Sequence, residues 1–305
     1  MAWKELLQQE YAEKLHIEWQ VPLAKLTTFK IGGPAECMIT AESASDVETV
    51  IQFAKEHQVP LHILGNGSNL LVDDEGVTGI VLYIGRAMAG VTVNGNEIIA
   101  EAGARMAQVA KAALDHSLTG LEFSFGIPGT MGGGVIMNAG AYGGELCQVV
   151  TKVEAYDQEG NFYVLANEDL NFGYRRSLLK EKGYIVTKVY MECKAGNPAE
   201  IKALMSDLSA RRIEKQPLEY PSAGSTFKRP EGHFVGKLIE DTNLKGVSVG
   251  GAKVSEKHGG FIINEKEATC KDVKGLIEHI QKTILAKYNI ELEPEYVFWN
   301  KDTDN

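Results

Sequence analysis

Gly126-Ile127-Pro128-Gly129-Thr130-Met131-Gly132-Gly133-Gly134-Val135-Ile136-Met137-Asn138-Ala139-Gly140-Ala141-Tyr142-Gly143-Gly144 is the stretch on which the fold turns. Eight of these residues are glycine, one is proline, and none carries a charge. Glycine lets backbone N–H groups approach a ligand with no Cβ in the way and reaches positive φ without strain. Such a segment presents amides to an anion, above all to phosphate. A second glycine-rich turn, Gly65-Asn66-Gly67-Ser68-Asn69, follows the apolar run Pro60 to Leu64. Two separated phosphate cradles in one chain suggest a large dinucleotide. Neither matches a common fingerprint: no Gly-x-x-x-x-Gly-Lys-[Ser/Thr] occurs, and the Gly65 turn lacks the third glycine of Gly-x-Gly-x-x-Gly.

Around these loops the chain reads as a globular protein with room for two or three lobes in 305 residues, the stretch ending at the Gly65 turn resembling a small α/β unit. Ala35–Thr40 predicts a strand, and Ser45-Asp46-Val47-Glu48 a capping box opening a helix to about His57. Leu61–Leu64 predicts the strand that feeds the first glycine turn. Residues 4–16 predict an amphipathic helix. Short β-rich runs from Gly79 to Glu101 predict antiparallel strands, and Met106 to His116 a helix. Val149–Tyr156 and Phe162–Leu165 predict a hairpin, and Tyr184–Cys193 a further strand. Ala195-Gly196-Asn197-Pro198 reads as a linker, followed by a helix over 199–212, a mixed β region to Asn264, a helix over 272–288 and a strand near Val297.

Net charge is −10 and the pI about 5.3, which disfavours nucleic-acid and anionic-membrane partners. Cys37, Cys147, Cys193 and Cys270 are scattered without a Cys-x-x-Cys pair, so free thiols are expected and no metal site. The N-terminus lacks the apolar core of a signal peptide, and no run reaches the roughly 18 apolar residues of a membrane span. A cytoplasmic, soluble, monomeric protein is the expectation.

Lys215 to Arg229 is a polar loop with two prolines, the turn Ala223-Gly224-Ser225, and the cations Lys228 and Arg229. Taken locally, Ser225 reads as a capping serine, Arg175-Arg176 as a solvated pair, and Glu291, Glu293 and Glu295 as the wet face of an edge strand. His258, in Lys257-His258-Gly259-Gly260-Phe261, reads as structural.

In order along the chain stand Thr28-Phe29-Lys30-Ile31-Gly32-Gly33-Pro34-Ala35, Leu64-Gly65-Asn66-Gly67-Ser68-Asn69-Leu70-Leu71, the Gly126 loop, Tyr174-Arg175-Arg176-Ser177, Ala223-Gly224-Ser225-Thr226-Phe227-Lys228 and Leu292-Glu293-Pro294-Glu295. That series resembles the UDP-N-acetylenolpyruvoylglucosamine reductase family, in the subgroup without an inserted tyrosine-bearing loop. Two positions depart from its pattern: Tyr296-Val297 stands where Val-Arg often follows the glutamate, and Thr130 where serine is frequent.

The resemblance implies an α+β fold: a two-lobed FAD-binding domain of the PCMH/vanillyl-alcohol-oxidase type (1–196, lobes roughly 1–80 and 81–196) and a C-terminal α+β substrate-binding domain (197–305). It implies non-covalent FAD reduced by NADPH, and an enolpyruvyl ether of a UDP-sugar reduced to UDP-N-acetylmuramate. Ser225, Arg175 and Glu295 fall where the family places catalytic groups: Ser225 as general acid, Arg175 as a positive fork, Glu295 as a protonated donor. Gly65, Asn66, Gly67, Ser68 and Asn69, with Gly126, Gly129, Thr130, Gly132 and Gly133, would cradle the pyrophosphate. Asn138, Ala139 and Gly140 would lie near the isoalloxazine, and Tyr174, Lys215, Lys228 and Arg229 would contact substrate. Without the resemblance, a related FAD oxidase or dehydrogenase of a sugar or hydroxy acid, or a non-catalytic binding module, remains open.

Overall fold

A four-stranded sheet opens the chain, its strands ordered His16–Pro22, Pro34–Thr40, Val77–Tyr83, Leu61–Leu64. The structure is a computed structural model that describes residues 2–301. The first helix covers Trp3–Tyr11 and not 4–16, because the period-two run from His16 takes the chain into a strand antiparallel to Pro34–Thr40. Val77–Tyr83 pairs in parallel with both of its neighbours, which corrects the antiparallel reading of this region. Its middle is buried on both faces, as a parallel central strand requires, so alternation is absent. Only Val91–Asn94 and Glu97–Glu101 form the predicted antiparallel hairpin there. The helix Ala44–Glu56 is capped two residues earlier than predicted, by Ser43 and Asp46 in a reciprocal box.

A second, five-stranded antiparallel sheet runs Phe162–Ala166, Val150–Tyr156, Ile185–Glu192, Glu97–Glu101, Val91–Asn94. One core fuses the two sheets: Ile39, Val50, Ile51 and Leu82 pack with Val109, Val153 and Val189. The predicted linker instead caps a helix, with Asn197 Oδ1 accepting from the Ala199 amide and Pro198 at the first helical position. That helix, Pro198–Lys215, buries Ile201 and Met205 in the same core.

A separate core forms beyond Lys215. It gathers Leu238, Ile239, Val254 and Ile262 around the helix Cys270–Tyr288, whose buried face is Cys270, Val273, Leu276, Ile277, Ile280 and Ile284. Each buried aliphatic side chain there contributes on the order of 2 kcal/mol of transfer free energy. Two devices fasten this region to the first. Asp74 accepts from the Cys270 and Lys271 amides (2.7 and 3.1 Å), placing a carboxylate on that helix N-terminus. The strand Val297–Trp299 returns to pair in parallel with Leu70–Val72, beside the Gly65 turn. Among the described residues no helix is long and apolar enough to cross a membrane.

Candidate active site

The strand Leu61–Leu64 delivers the chain to the Gly65 turn, which is pressed against residues 26–28. Gly67 has φ +57°, and a Cβ on it would lie 2.5 Å from the Leu26 carbonyl. Only glycine meets both demands. Gly65 faces the long loop, where a Cβ would lie 2.6 Å from Thr130 Oγ1, and Asn66 Nδ2 donates to the Pro128 carbonyl at 3.4 Å. A Cβ on Gly129 would reach Ser68 Oγ at 3.8 Å. The two glycine loops therefore meet.

They do not share the anion equally. Among the described residues, the backbone N–H groups of 65–69 donate to no protein acceptor. Those of Met131, Gly132 and Gly133 are already engaged, to Ala104 O (2.8 Å), Ala102 O (2.9 Å) and Thr130 Oγ1 (3.4 Å). The long loop contains a helix, Met131–Ile136, N-capped by Thr130, and its glycines serve close packing: a Cβ on Gly132 would strike that of Ala102 at 2.8 Å. Among the described residues, the free amides thus belong to the Gly65 turn and, in the long loop, to Gly126 and Thr130, while those of Gly132 and Gly133 hold the loop's own shape.

Both loops open on a cavity of about 680 Å³, lined by Gly65, Asn66, Ser68 and Pro128 and reaching Ser222 and Gly224. Lys25, Lys30, Arg86, Arg105 and Arg212 face it, against the single acid Glu219. In a chain of net charge −10 this is a local concentration of positive charge suited to a diphosphate. Free amides, cations and two glycines with no room for a side chain fit the pyrophosphate of FAD. The sequence reading missed Arg212, which donates to the Gly126 carbonyl and whose guanidinium is pushed below its usual range by burial. Its signal, one arginine in the last turn of a helix, is common to many helices.

At the other end Arg175 Nε meets Glu295 Oε1 at 2.8 Å, both side chains largely buried, and Arg175 Nη2 donates to the Gly140 carbonyl at 3.3 Å. Arg175 holds φ +55°, a left-handed conformation unusual for a side chain of its size. The Tyr174 ring lies 5.2 Å beneath its guanidinium while Tyr174 itself is exposed. Glu295 is anchored through its backbone, its N–H donating to Thr226 O (2.9 Å) and its carbonyl accepting from Asn69 Nδ2 (3.2 Å). The residue beside Thr226 is Ser225, presented by Gly224 at φ +80°. Three distant segments thereby bring Arg175, Glu295 and Ser225 to the edge of the Gly65 turn. In this geometry Glu295 accepts from Arg175.

The remaining predicted residues divide. Asn138 is buried and fully engaged, donating to Glu145 (3.0 Å) and the Gly173 carbonyl (3.1 Å) and accepting from the Cys147 amide (3.0 Å). It therefore latches the long loop to the segment carrying Arg175, with both side-chain donors taken and one lone pair left on Oδ1. Ala139 holds the same loop, its carbonyl accepting from the Leu146 amide at 3.1 Å. Lys228 pairs with Glu293, and the Lys180 ammonium shares their field, pushed below its usual range by burial and by Lys228. Arg229 is turned back on its own loop, over the Phe234 ring at 3.8 Å. Lys215 ends its helix exposed and does not line the cavity. Glu291, Glu293 and Glu295 lie in an irregular segment, not an edge strand.

Family models match twice: an FAD-binding domain over residues 35–166, and the C-terminal domain of UDP-N-acetylenolpyruvoylglucosamine reductase over 216–299. The chain is 52% identical to the enzyme of that name from Caldanaerobacter subterraneus, over 90% of each chain. It is 45% identical to one from Clostridium perfringens, over 99% of each. The solved UDP-N-acetylenolpyruvylglucosamine reductase of Thermus caldophilus superimposes with a TM-score of 0.82 at 36% identity, over 94% of this chain and 100% of the other. Phl p 4.0202, a glucose dehydrogenase, shares the fold alone: TM-score 0.51, 16% identity, 65% of this chain and 45% of the other. The architecture is an FAD-binding domain followed by the C-terminal domain of this reductase family.

Proposed function

We propose, from the premise that the chain belongs to the UDP-N-acetylenolpyruvoylglucosamine reductase family, that Arg175, Glu295 and Ser225 carry its chemistry. The reaction is reduction of UDP-N-acetylglucosamine enolpyruvate to UDP-N-acetylmuramate, an oxidoreductase step of peptidoglycan precursor synthesis that uses FAD. NADPH is the electron donor in this reading. Held at the Gly65 turn, FAD would supply the hydride chemistry between NADPH and the enol ether.

The observation that carries the reading is the junction of Arg175, Glu295 and the backbone of Thr226 beside the Gly65 turn. Hydride addition to an enol ether carboxylate places negative charge on the carboxylate, so preorganised positive groups there lower the barrier. The Arg175 guanidinium offers a fixed fork for that carboxylate. Glu295, released from the fork and protonated, donates to the second oxygen. Ser225 then supplies a proton to the carbon alpha to the carboxylate; a hydroxyl is a weak acid, but the carbanionic dianion is a far stronger base. Lys228 and Lys180 supply positive charge for the diphosphate. We place the boundary between cofactor and substrate domains after Lys215, since Ile201 and Met205 pack with the sheets. The acidic charge balance fits a cytoplasmic monomer acting on small molecules, without nucleic-acid or membrane partners.

Ser225→Ala separates the steps. Stopped-flow mixing should show NADPH oxidation at the wild-type rate and transfer to the enolpyruvyl substrate slowed by a factor on the order of 10³, the span of a lost general acid. Equal losses in both half-reactions would remove Ser225 from this role.

A further inference from the structure

We infer that His258 is a positioning residue for the protonation step: its neutral imidazole, acting through Gly260 and Thr226, sets the place of both Ser225 and Glu295. The links are consecutive. His258 Nδ1 accepts from the Gly260 N–H at 3.1 Å, and the Gly260 carbonyl accepts from the Thr226 N–H at 2.8 Å. Thr226 Oγ1 accepts from the Ile262 N–H at 3.0 Å, and Thr226 O from the Glu295 N–H at 2.9 Å. The amide, carbonyl and hydroxyl oxygen of Thr226 are thus all engaged in holding the junction, with Ser225 as its immediate neighbour.

The imidazole and the serine hydroxyl also border the same glycine. A Cβ built on Gly260 would sit 3.0 Å from His258 Cε1 and 3.5 Å from Ser225 Oγ, so ring and hydroxyl flank one glycine and a side chain there would press on the ring. The ring is itself held. The His258 amide donates to Ser255 Oγ at 3.2 Å, and the Phe261 ring packs edge-on, centroids 5.0 Å apart.

The chain of bonds works only while the imidazole is neutral, because an imidazolium has two donors and no acceptor. Burial pushes the His258 pKa below its ordinary 6.5, and the Lys245 ammonium pushes the same way. The other charged groups around it are already paired: Lys245 with Glu240, Lys257 with Glu219 and Glu256 with Lys253. Ser255 and Ser225 contribute hydroxyls and Phe261 an apolar face. Since the folded pKa is depressed, the accepting form is complete at neutral pH and is lost as pH falls through a value below 6.5.

This inference rests on the proposed role of Ser225, and the test keeps the two apart. NADPH-reduced holoenzyme is mixed anaerobically with the enolpyruvyl substrate across about pH 5 to 8, where histidines titrate. His258→Leu removes the acceptor. It should slow transfer to substrate about tenfold, the effect of one lost hydrogen bond on a barrier, with NADPH oxidation within about twofold. His258→Asn places a non-titrating amide oxygen near Nδ1; it should restore transfer to within about threefold and flatten the acid limb. Wild-type transfer in His258→Leu, equal slowing of both half-reactions, or an unchanged acid limb in His258→Asn overturns the inference. If His258→Leu fails to retain flavin, the acid limb of His258→Asn decides alone. A Ser225→Ala enzyme with wild-type transfer would instead overturn the role of Ser225.

Discussion

Gly65→Ala tests the contact between the two glycine loops. The new Cβ would lie 2.6 Å from Thr130 Oγ1, well inside the 3.4 Å at which ordinary contact begins. Thr130 cannot swing away freely, because it is buried and its hydroxyl caps the helix Met131–Ile136 through the Gly133 amide. Overpacking of this kind costs about 1–3 kcal/mol, and loss of the cap about 1 kcal/mol. FAD gripping both loops would oppose the small shift that relieves the strain, so most of the cost is expected in the bound state. About 2 kcal/mol corresponds to roughly thirtyfold weaker FAD binding.

The assay is titration of flavin-free protein with FAD, followed by quenching of flavin fluorescence, for wild type, Gly65→Ala, Thr130→Ala and the double variant. With Oγ1 gone, the next nearest atoms of Thr130 are 3.7 Å from the new Cβ, an ordinary contact. Gly65→Ala should then cost under about 0.5 kcal/mol in the Thr130→Ala background. Single-variant losses that simply add, or an unaltered affinity in Gly65→Ala, would refute the reasoning.

Two further outcomes follow from the geometry. Arg175→Lys keeps the charge and removes the fork to Glu295 and Gly140; kcat/KM for the enolpyruvyl substrate should fall about a hundredfold, as loss of charge-assisted bonds worth about 2–3 kcal/mol implies, and a change below about threefold in steady-state rates would contradict it. His62, buried against Trp299, has its pKa lowered by burial, so below 6.5 the unfolded chain binds a proton that the folded chain refuses. Stability should therefore drop with falling pH by at most about 1.4 kcal/mol per unit until the folded pKa is reached, and His62→Gln should show a shallower fall of Tm between about pH 7 and 5. An identical slope in both proteins would sink that assignment.

The sequence carried the local parts of this molecule well. Leu61–Leu64, Met106–Asp115 and the hairpin closed by Gly160 all follow from period and turn chemistry, which act over a few residues. What it concealed depends on partners far away in the chain. Val77–Tyr83 reads as part of an antiparallel run until both parallel neighbours are known. Asn138 looks like a ligand group until Gly173 and Glu145 take its valences. Arg175, Ser225 and Glu295 have no local signal at all, and their meaning came from the order of motifs along the chain. Lys215 shows the limit of that route, since a matching motif does not by itself turn a side chain into the cleft.

The return of Val297–Trp299 to Leu70–Val72 also bears on how the molecule comes to be made. Asn69 and Glu295, joined by a hydrogen bond at this seam, are 226 residues apart in sequence. A chain emerging from the ribosome therefore builds both sheets and the cofactor turn long before the acid that completes the site exists. Closing so long a loop is entropically slow, and until it closes the Leu70–Val72 edge stands open to other strands. Catalytic competence and protection of that edge arrive in the same late event, so a chain caught before it can hold its cofactor cradle without being an enzyme.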